Sequence, residues 1–422
     1  MSAPASPTSR KLSILIVAAC PFPANYGSPG AIKEMSEGMA DLGHDVHVVT
    51  YPYGDEMPVR GIHIHRIGGL GVSHQVHSGP AWHKPLFDLL MVFKACRLIW
   101  KYKCDIIHSH NYEGQLVGIC AKLITGRPLL YNAVNSMTDE LSSYGFIKPA
   151  FLARWLAAFL DRFAPGFSDY ILTLTPNLLE FLAGKGIERE RMVCIPAGIW
   201  PEMFQHANPD RFRHELQLQG KRVVLYTGTL DHFQRLDILF RAFARLGQEF
   251  SDTVLLVVSP FANEVLRREL ETLAEELGIT ARMRWVDKHP LEDLPDYLVL
   301  GDVAVAPRPS SAGHPIKILN YMGTNRPIVA AIGGAKGIRH LQNGFVCRDE
   351  DVDHMAEGFS TLLTDRVLAK QLGEAALQTV REEYDWRIQC QKIENIYFHM
   401  IQARHTRAQS IAGKMKIMRN GD

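Results

Sequence analysis

No apolar run in this sequence of 422 residues approaches the roughly 18 residues that a membrane-crossing helix needs. Cysteine is scarce: the seven, at Cys20, Cys96, Cys104, Cys120, Cys194, Cys347 and Cys390, are odd in number, scattered, and nowhere form C-x-x-C. That argues against a disulfide frame and a zinc site, and reads as reduced, buried fillers of a cytosolic protein. An excess of one charge is missing too. Lys plus Arg number 46 against 45 Asp plus Glu, for a formal net charge of +1, which speaks against a nucleic-acid binder driven by phosphate contacts. The exception is local: the tail segment 404–419 carries Arg404, Arg407, Lys414, Lys416 and Arg419 with no acid. Solvation is the preferred reading of that tail, and contact with an anionic membrane surface the alternative. Low complexity is confined to the first ten residues, Pro/Ser/Ala-rich and expected to be disordered.

What is present is ordinary for a globular protein: 46% apolar and 22% charged residues. The length predicts two domains, each large enough to bury its own core. Arg10-Lys11 followed by Leu12–Ala19 and Cys20 imitates a short leader with a lipoprotein box. The same residues make a buried first strand feeding a Pro/Gly loop, and that reading is preferred. β-branched runs at 12–18, 46–50, 62–66, 106–109, 129–133, 170–174 and 192–195 alternate with helical patterns at 29–42, 87–102, 114–125, 150–163 and 176–184. The pattern restarts with strands at 222–226, 253–258, 283–286, 303–306 and 327–330. Its helices are expected at 235–250, 263–277, 291–298, 315–322, 352–363, 369–383 and 385–401. Alternation of this kind specifies βαβ units and parallel sheets, hence an α/β fold of two Rossmann-like domains facing across a cleft. Ligands of such sheets sit beyond the carboxyl ends of the strands.

Four strand-end segments carry candidate chemistry. The loop 21–30 leads into a helix, and Gly27 and Gly30 let backbone amides approach an anion; a plain tight turn is the alternative. In 105–114, period-two alternation puts His108 and His110 on one face of a strand, with His110 at its exit. A satisfied core histidine is as good a reading, and a metal pair lacks a third ligand. In 226–235, Gly228 permits close backbone approach and Arg235 offers a bidentate fork for phosphate. In 310–323, Pro315 suits a first helical turn, leaving amides around Gly313 and His314 free, while Lys317 and Asn320 share a helix face. Helix starts and a cation converging on strand ends favour a diphosphate site over ordinary capped helices.

At these motifs the chain resembles the retaining nucleotide-sugar glycosyltransferases of GT-B fold, family 4, over roughly residues 11–401. The likeness rests on the order and spacing of the Pro/Gly loop, Met39-Ala40-Asp41-Leu42-Gly43-His44-Asp45-Val46, 105–110, Ile195-Pro196-Ala197-Gly198, Tyr226-Thr227-Gly228, 315–322, Arg326-Pro327-Ile328-Val329-Ala330 and Asn343-Gly344. It implies a disordered start (1–10), an acceptor domain (11–205), a donor domain (206–384), a final helix crossing back to the first domain (385–403) and a basic tail (404–422). By the same resemblance His110 and Arg235 are the catalytic residues. Gly27, Gly30, Gly228, Thr229, Gly313, His314, Pro315, Ile316, Lys317 and Asn320 bind the donor. The family's usual Arg is replaced by Thr229, its Lys falls on Arg235, and its paired glutamates fall on Ala312 and Asn320.

The implied activity is metal-independent transfer, with retention, of a hexose from a nucleotide diphosphate sugar to a glycan or lipid-linked acceptor in cell-surface polysaccharide or glycoconjugate synthesis. The nucleotide sugar is the co-substrate and no further cofactor is expected. A catalytically silent GT-B scaffold or nucleotide-sugar binder is the alternative, and a sugar-nucleotide epimerase or hydrolase, with Glu113 as its acid or base, a third. The expected location is cytoplasmic. The basic amphipathic stretches 82–103 and 146–163 could instead lie at the inner face of the plasma membrane, or simply pack on the first sheet with solvated cations.

Overall fold

The short β-branched runs in each half cannot bury their faces alone, and they assemble into two parallel sheets with helices as crossovers. The computed structural model describes residues 10–24, 27–68, 84–138, 150–259, 263–287, 289–309 and 316–419. It divides into two units: Met1–Ala197 with Trp386–Asp422, and Gly198–Asp385.

The first unit contains β1 (Ser13–Ala18), β2 (Asp45–Thr50), β3 (Ile62–Arg66), β4 (Ile106–His110), β5 (Leu129–Ala133), β6 (Tyr170–Thr173) and β7 (Met192–Cys194), in the order β3-β2-β1-β4-β5-β6-β7. All neighbouring pairs are parallel. Ile14 to Ala18 of β1 are solvent-free, as the near-continuous apolar run of a doubly covered strand requires. Its helices are α1 (Gly27–Asp41), α2 (Lys84–Tyr102), α3 (Asn111–Thr125), α4 (Ala150–Gly166) and α5 (Pro176–Gly184). Thr175 caps α5, accepting from the Leu178 amide, with Pro176 at the first helical position. Phe87 and Met91 of α2, Val117 of α3 and Ala164 of α4 meet Val17 and Ile107 in one apolar layer. The chain moves outward in opposite directions from β1 and β4, so right-handed crossovers place α1 and α3 on opposite faces.

The second unit contains β8 (Arg222–Thr227), β9 (Thr253–Ser259), β10 (Met283–Asp287), β11 (Val303–Ala306), β12 (Ile328–Ala331) and β13 (Phe345–Cys347), ordered β10-β9-β8-β11-β12-β13. Around them lie α6 (Asp210–Arg213), α7 (Leu236–Ala244), α8 (Glu264–Glu276), α9 (Leu294–Leu298), α10 (Ile316–Gly323), α11 (Val352–Thr364) and α12 (Arg366–Thr379). The strand β13 is not among the sequence expectations. The expected helix at 369–383 ends at Thr379 and continues as one π turn, Val380–Tyr384. Then α13 (Trp386–Arg419) returns to the first unit, running eighteen residues past the expected end at Ile401. Trp386 Nε1 donates to Glu34 of α1 at 2.8 Å, and Tyr397 reaches His108 of β4 at 2.7 Å.

Candidate active site

Each sheet reverses its winding direction once, between β1 and β4 and between β8 and β11. The carboxyl ends of those strands are where an open α/β sheet leaves room for a ligand.

In the second unit, β8 ends at Thr227, whose amide donates to the Tyr321 hydroxyl at 2.7 Å. Gly228 follows at φ +141, and a Cβ there would lie 2.8 Å from Lys317 Nζ. That backbone angle favours glycine, and any Cβ would displace the lysine ammonium from its place against the loop. One turn before Tyr321 on α10, Lys317 points into the same place. It donates to Gln234 Oε1 at 2.8 Å and to the Tyr226 hydroxyl at 3.2 Å, and the hydroxyl in turn donates to the Thr229 carbonyl at 2.9 Å. These contacts commit two of the ammonium's three N–H donors. Enclosure by protein, with the Arg308 charge nearby, pushes Lys317 down from 10.5 to about 7, against the opposing pull of Asp231.

Arg308 is a cation that the sequence reading missed. It follows β11, the strand beside β8, and its guanidinium lies 4.7 Å from the Phe233 ring centroid. Burial lowers its affinity for a proton, while Tyr226 and Asp231 pull the other way. Flanked by Pro307 and Pro309 in an unpatterned stretch, it offers no local signal; its position follows from the pairing of β11 with β8.

Arg235 stands differently from its expected role. Its backbone is left-handed, φ +54 and ψ +48, in the region that favours glycine. Its guanidinium grips Asp237 through two hydrogen bonds, at 3.0 and 3.1 Å, and also binds Glu350. The bidentate fork is thus already on a carboxylate, and a phosphate would have to displace it. The Thr229 hydroxyl donates to Asp231. Ile316, Lys317 and Asn320 are all half-buried on α10. Gly313, His314 and Pro315, with Ala312, lie outside the described residues.

In the first unit, Gly27 opens α1 at φ +50 and Gly30 falls inside its first turn, two residues earlier than the expected helix start. His110 ends β4 beside Asn132 of β5 and is buried, with its Nδ1 3.0 Å from the Asn132 amide nitrogen. The amide donates and Nδ1 accepts, which leaves the ring proton on Nε2. That Nε2 is buried without a partner among the described residues. Burial lowers His110 to about 3, so it is a neutral N–H donor and not an imidazolium. His108 stacks on it with centroids 4.4 Å apart and is held by Tyr397. A Cβ on Gly114 would stand 2.9 Å from the Val17 carbonyl, so glycine lets α3 start against the end of β1. Among the described residues no cluster of three or more His, Cys, Asp or Glu could hold a metal ion, and no helix is long and apolar enough to cross a membrane.

Two family comparisons bear on this arrangement. Residues 221–365 match the family described as glycosyl transferases group 1, and residues 27–198 match the glycosyl transferase 4-like domain. The chain is a family 4 glycosyltransferase of GT-B fold. Similar to this transferase is the D-inositol 3-phosphate glycosyltransferase of Thermobispora bispora, 24% identical over 392 residues, covering 89% of this chain and 90% of that protein. The N-acetyl-alpha-D-glucosaminyl L-malate synthase of Bacillus anthracis is 20% identical, covering 90% and 96%. Among solved structures, Anabaena HepE in complex with UDP superposes with a TM-score of 0.71 at 17% identity, over 91% of this chain and 99% of that one. Sucrose-phosphate synthase of Thermosynechococcus elongatus gives 0.77 at 17% identity, over 93% and 100%. These likenesses extend to the fold of both units.

Proposed function

We propose that this transferase moves a sugar, with retention, from a nucleotide diphosphate sugar to a glycan or lipid-linked acceptor in cell-surface glycoconjugate synthesis. The observation that carries the donor class is the Lys317 ammonium under Gly228, with Arg308 in electrostatic reach. Two cations and a side-chain-free backbone at one strand end suit a diphosphate, whose negative charge grows as it leaves. The UDP complex of HepE supports the same class. In this reading Lys317 and Arg308 do the charge stabilisation without a metal, Gly228 admits the phosphates, and Asn320 hydrogen-bonds a hydroxyl. His110 offers a neutral Nε2–H to a sugar oxygen. Arg235 fastens the loop between Asp237 and Glu350.

The diphosphate is a good leaving group once neutralised, so no carboxylate pair of the kind used by glycosidases is required. The acceptor hydroxyl attacks from the face the diphosphate leaves: its oxygen bonds to the anomeric carbon as the bond to the phosphate oxygen breaks, and its proton passes to that departing oxygen, which retains the anomeric configuration. A panel of nucleotide sugars, followed by release of nucleoside diphosphate, tests the reading. Release with one donor class, lost in Lys317→Ala, supports it. Binding without release from any donor in the presence of glycan and lipid-linked acceptors would favour the silent scaffold.

A further inference from the structure

The outer surface of the α2–α3–α4 layer is built unlike the rest of the molecule. Trp155, Phe159 and Phe163 of α4, with Phe167 just beyond it, recur every fourth residue and form a continuous stack. Successive ring centroids lie 6.0, 5.2 and 4.7 Å apart. Their apolar faces are open to solvent, Trp155 by 64% and Phe159 by 48%. On α2, Phe93 and Trp100 are exposed by 67% and 62% at a seven-residue spacing, and on α3 Leu116 and Leu123 repeat it. A run of large apolar side chains facing water on three packed helices marks an interaction surface.

The charges on this layer are one-sided. Each helix has a single acid, and each is engaged. Asp161 is buried and accepts from the Met137 and Thr138 amides, Asp88 accepts from the Tyr51 hydroxyl at 2.8 Å, and Glu113 lies 3.8 Å from Lys84. The cations Arg97, Lys101, Arg154 and Arg162 are exposed. A Cβ on Gly126, at the end of α3, would stand 3.5 Å from the Arg404 guanidinium, so this exposed residue of α13 adds a further cation at the edge of the layer.

We propose that this face docks on an anionic lipid bilayer, the aromatic stack entering the headgroup boundary while the arginines and lysines meet lipid phosphates. Indole and phenyl rings favour that boundary, and basic residues beside them favour negative headgroups. Self-association through the same face would oppose like charges, which argues against a second copy as occupant. The proposal is independent of the donor reading above, since it concerns only the first unit.

Flotation of the full chain tests it, with vesicles of phosphatidylcholine alone or with about 30% phosphatidylglycerol. The chain is expected to float with the anionic vesicles, to remain below with the neutral ones, and to be released by high salt. Trp155→Glu with Phe159→Glu should lower the bound fraction about tenfold, and Arg97→Glu with Arg154→Glu should do the same on anionic vesicles. Val367→Glu, an exposed site on α12 of the second unit, should change nothing. Unfolding temperature and donor turnover without vesicles should match wild type in every variant; if the aromatic pair fails to fold, the arginine pair carries the test. A chain that stays at the bottom with anionic vesicles overturns the proposal, as does flotation unchanged by both variants. A wild-type dimer made monomeric by Trp155→Glu with Phe159→Glu would also overturn it, assigning the face to a second copy.

Discussion

Lys317→Met removes one positive charge from the strand end where we place the diphosphate and nearly conserves the side-chain volume. An ammonium about 4 Å from a phosphate oxygen, at an effective dielectric near 20, is worth about 4 kcal/mol. Loss of one preorganised donor in other enzymes costs about 2.7–4 kcal/mol. The expected fall in kcat/KM is therefore about 100- to 1000-fold, measured by release of nucleoside diphosphate. The pH profile gives a sharper test. With Lys317 lowered to about 7, the charged form prevails below neutrality, and each unit above it removes about tenfold of that form. The kcat/KM of the free enzyme should fall above pH 7, and Lys317→Arg, always charged, should abolish that fall.

Stability should move the other way. The unfolded lysine keeps its proton up to 10.5 while the folded one loses it near 7. Folding stability thus rises with pH between those values and is lowest below 7. The shift corresponds to at most about 5 kcal/mol, and the partly open surface of the residue reduces that to about 1–3 kcal/mol. At pH 6 Lys317→Met should unfold at a higher temperature than wild type while being nearly inactive. Activity within threefold of wild type, or a flat profile shared by wild type and Lys317→Arg, would refute the assignment.

Arg235→Ala separates a phosphate clamp from a loop fastener. The pairing with Asp237 and Glu350 predicts a kcat/KM change below about tenfold, with stability lowered by about 1 kcal/mol; a loss as large as that of Lys317→Met would restore the clamp. Gly228→Ala, at φ +141 and 2.8 Å from Lys317 Nζ, should destabilise by about 1–3 kcal/mol and abolish donor-induced thermal stabilisation. His110→Ala is expected to lower kcat/KM about 10- to 100-fold. Asn132→Ala should mix the His110 tautomers, visible in the imidazole 15N shifts; an unchanged Nε2–H signature would dissociate the two residues. Burial raises Glu34 to about 7 despite the Trp386 hydrogen bond, so it is protonated when folded and ionised when unfolded between 4.5 and 7. Stability should decline as pH rises through that window, and Glu34→Gln should remove the decline and stabilise at pH 8 by about 1–2 kcal/mol.

The strands of the first unit were legible because each is a short run closed by a turn and set between helical patterns; β1 is continuously apolar and buried, while β3 and β4 stayed recognisable despite the histidines that alternate along them. In the second unit β13 is only Phe345–Cys347. Three residues cannot establish alternation, and the strand exists because β12 offers an edge to pair with. The far end of α13 was missed because large apolar residues lapse between Ile401 and Ile411 while the helix does not. Within the site, Lys317 and Gly228 carried local signals, a helix start and a glycine after a strand. Arg308 carried none, because its value lies in lateral strand order, a property of the sheet and not of any window of sequence.

The contrast between Arg235 and Lys317 bears on how such a site is read. A guanidinium keeps its charge in any surroundings, so its motif position alone makes it look like the phosphate ligand. In the folded unit the left-handed backbone at Arg235 turns its side chain to Asp237 and Glu350, and those carboxylates already neutralise it. Lys317 reaches the Gly228 loop from another element and is held by neutral acceptors, Gln234 and Tyr226. A cation held only by neutral groups has not spent its charge, and a depressed proton affinity measures how much attraction an arriving anion can recover. The balance of fixed carboxylates around each cation, more than the identity of the cation, therefore decides which of the two can stabilise a leaving diphosphate.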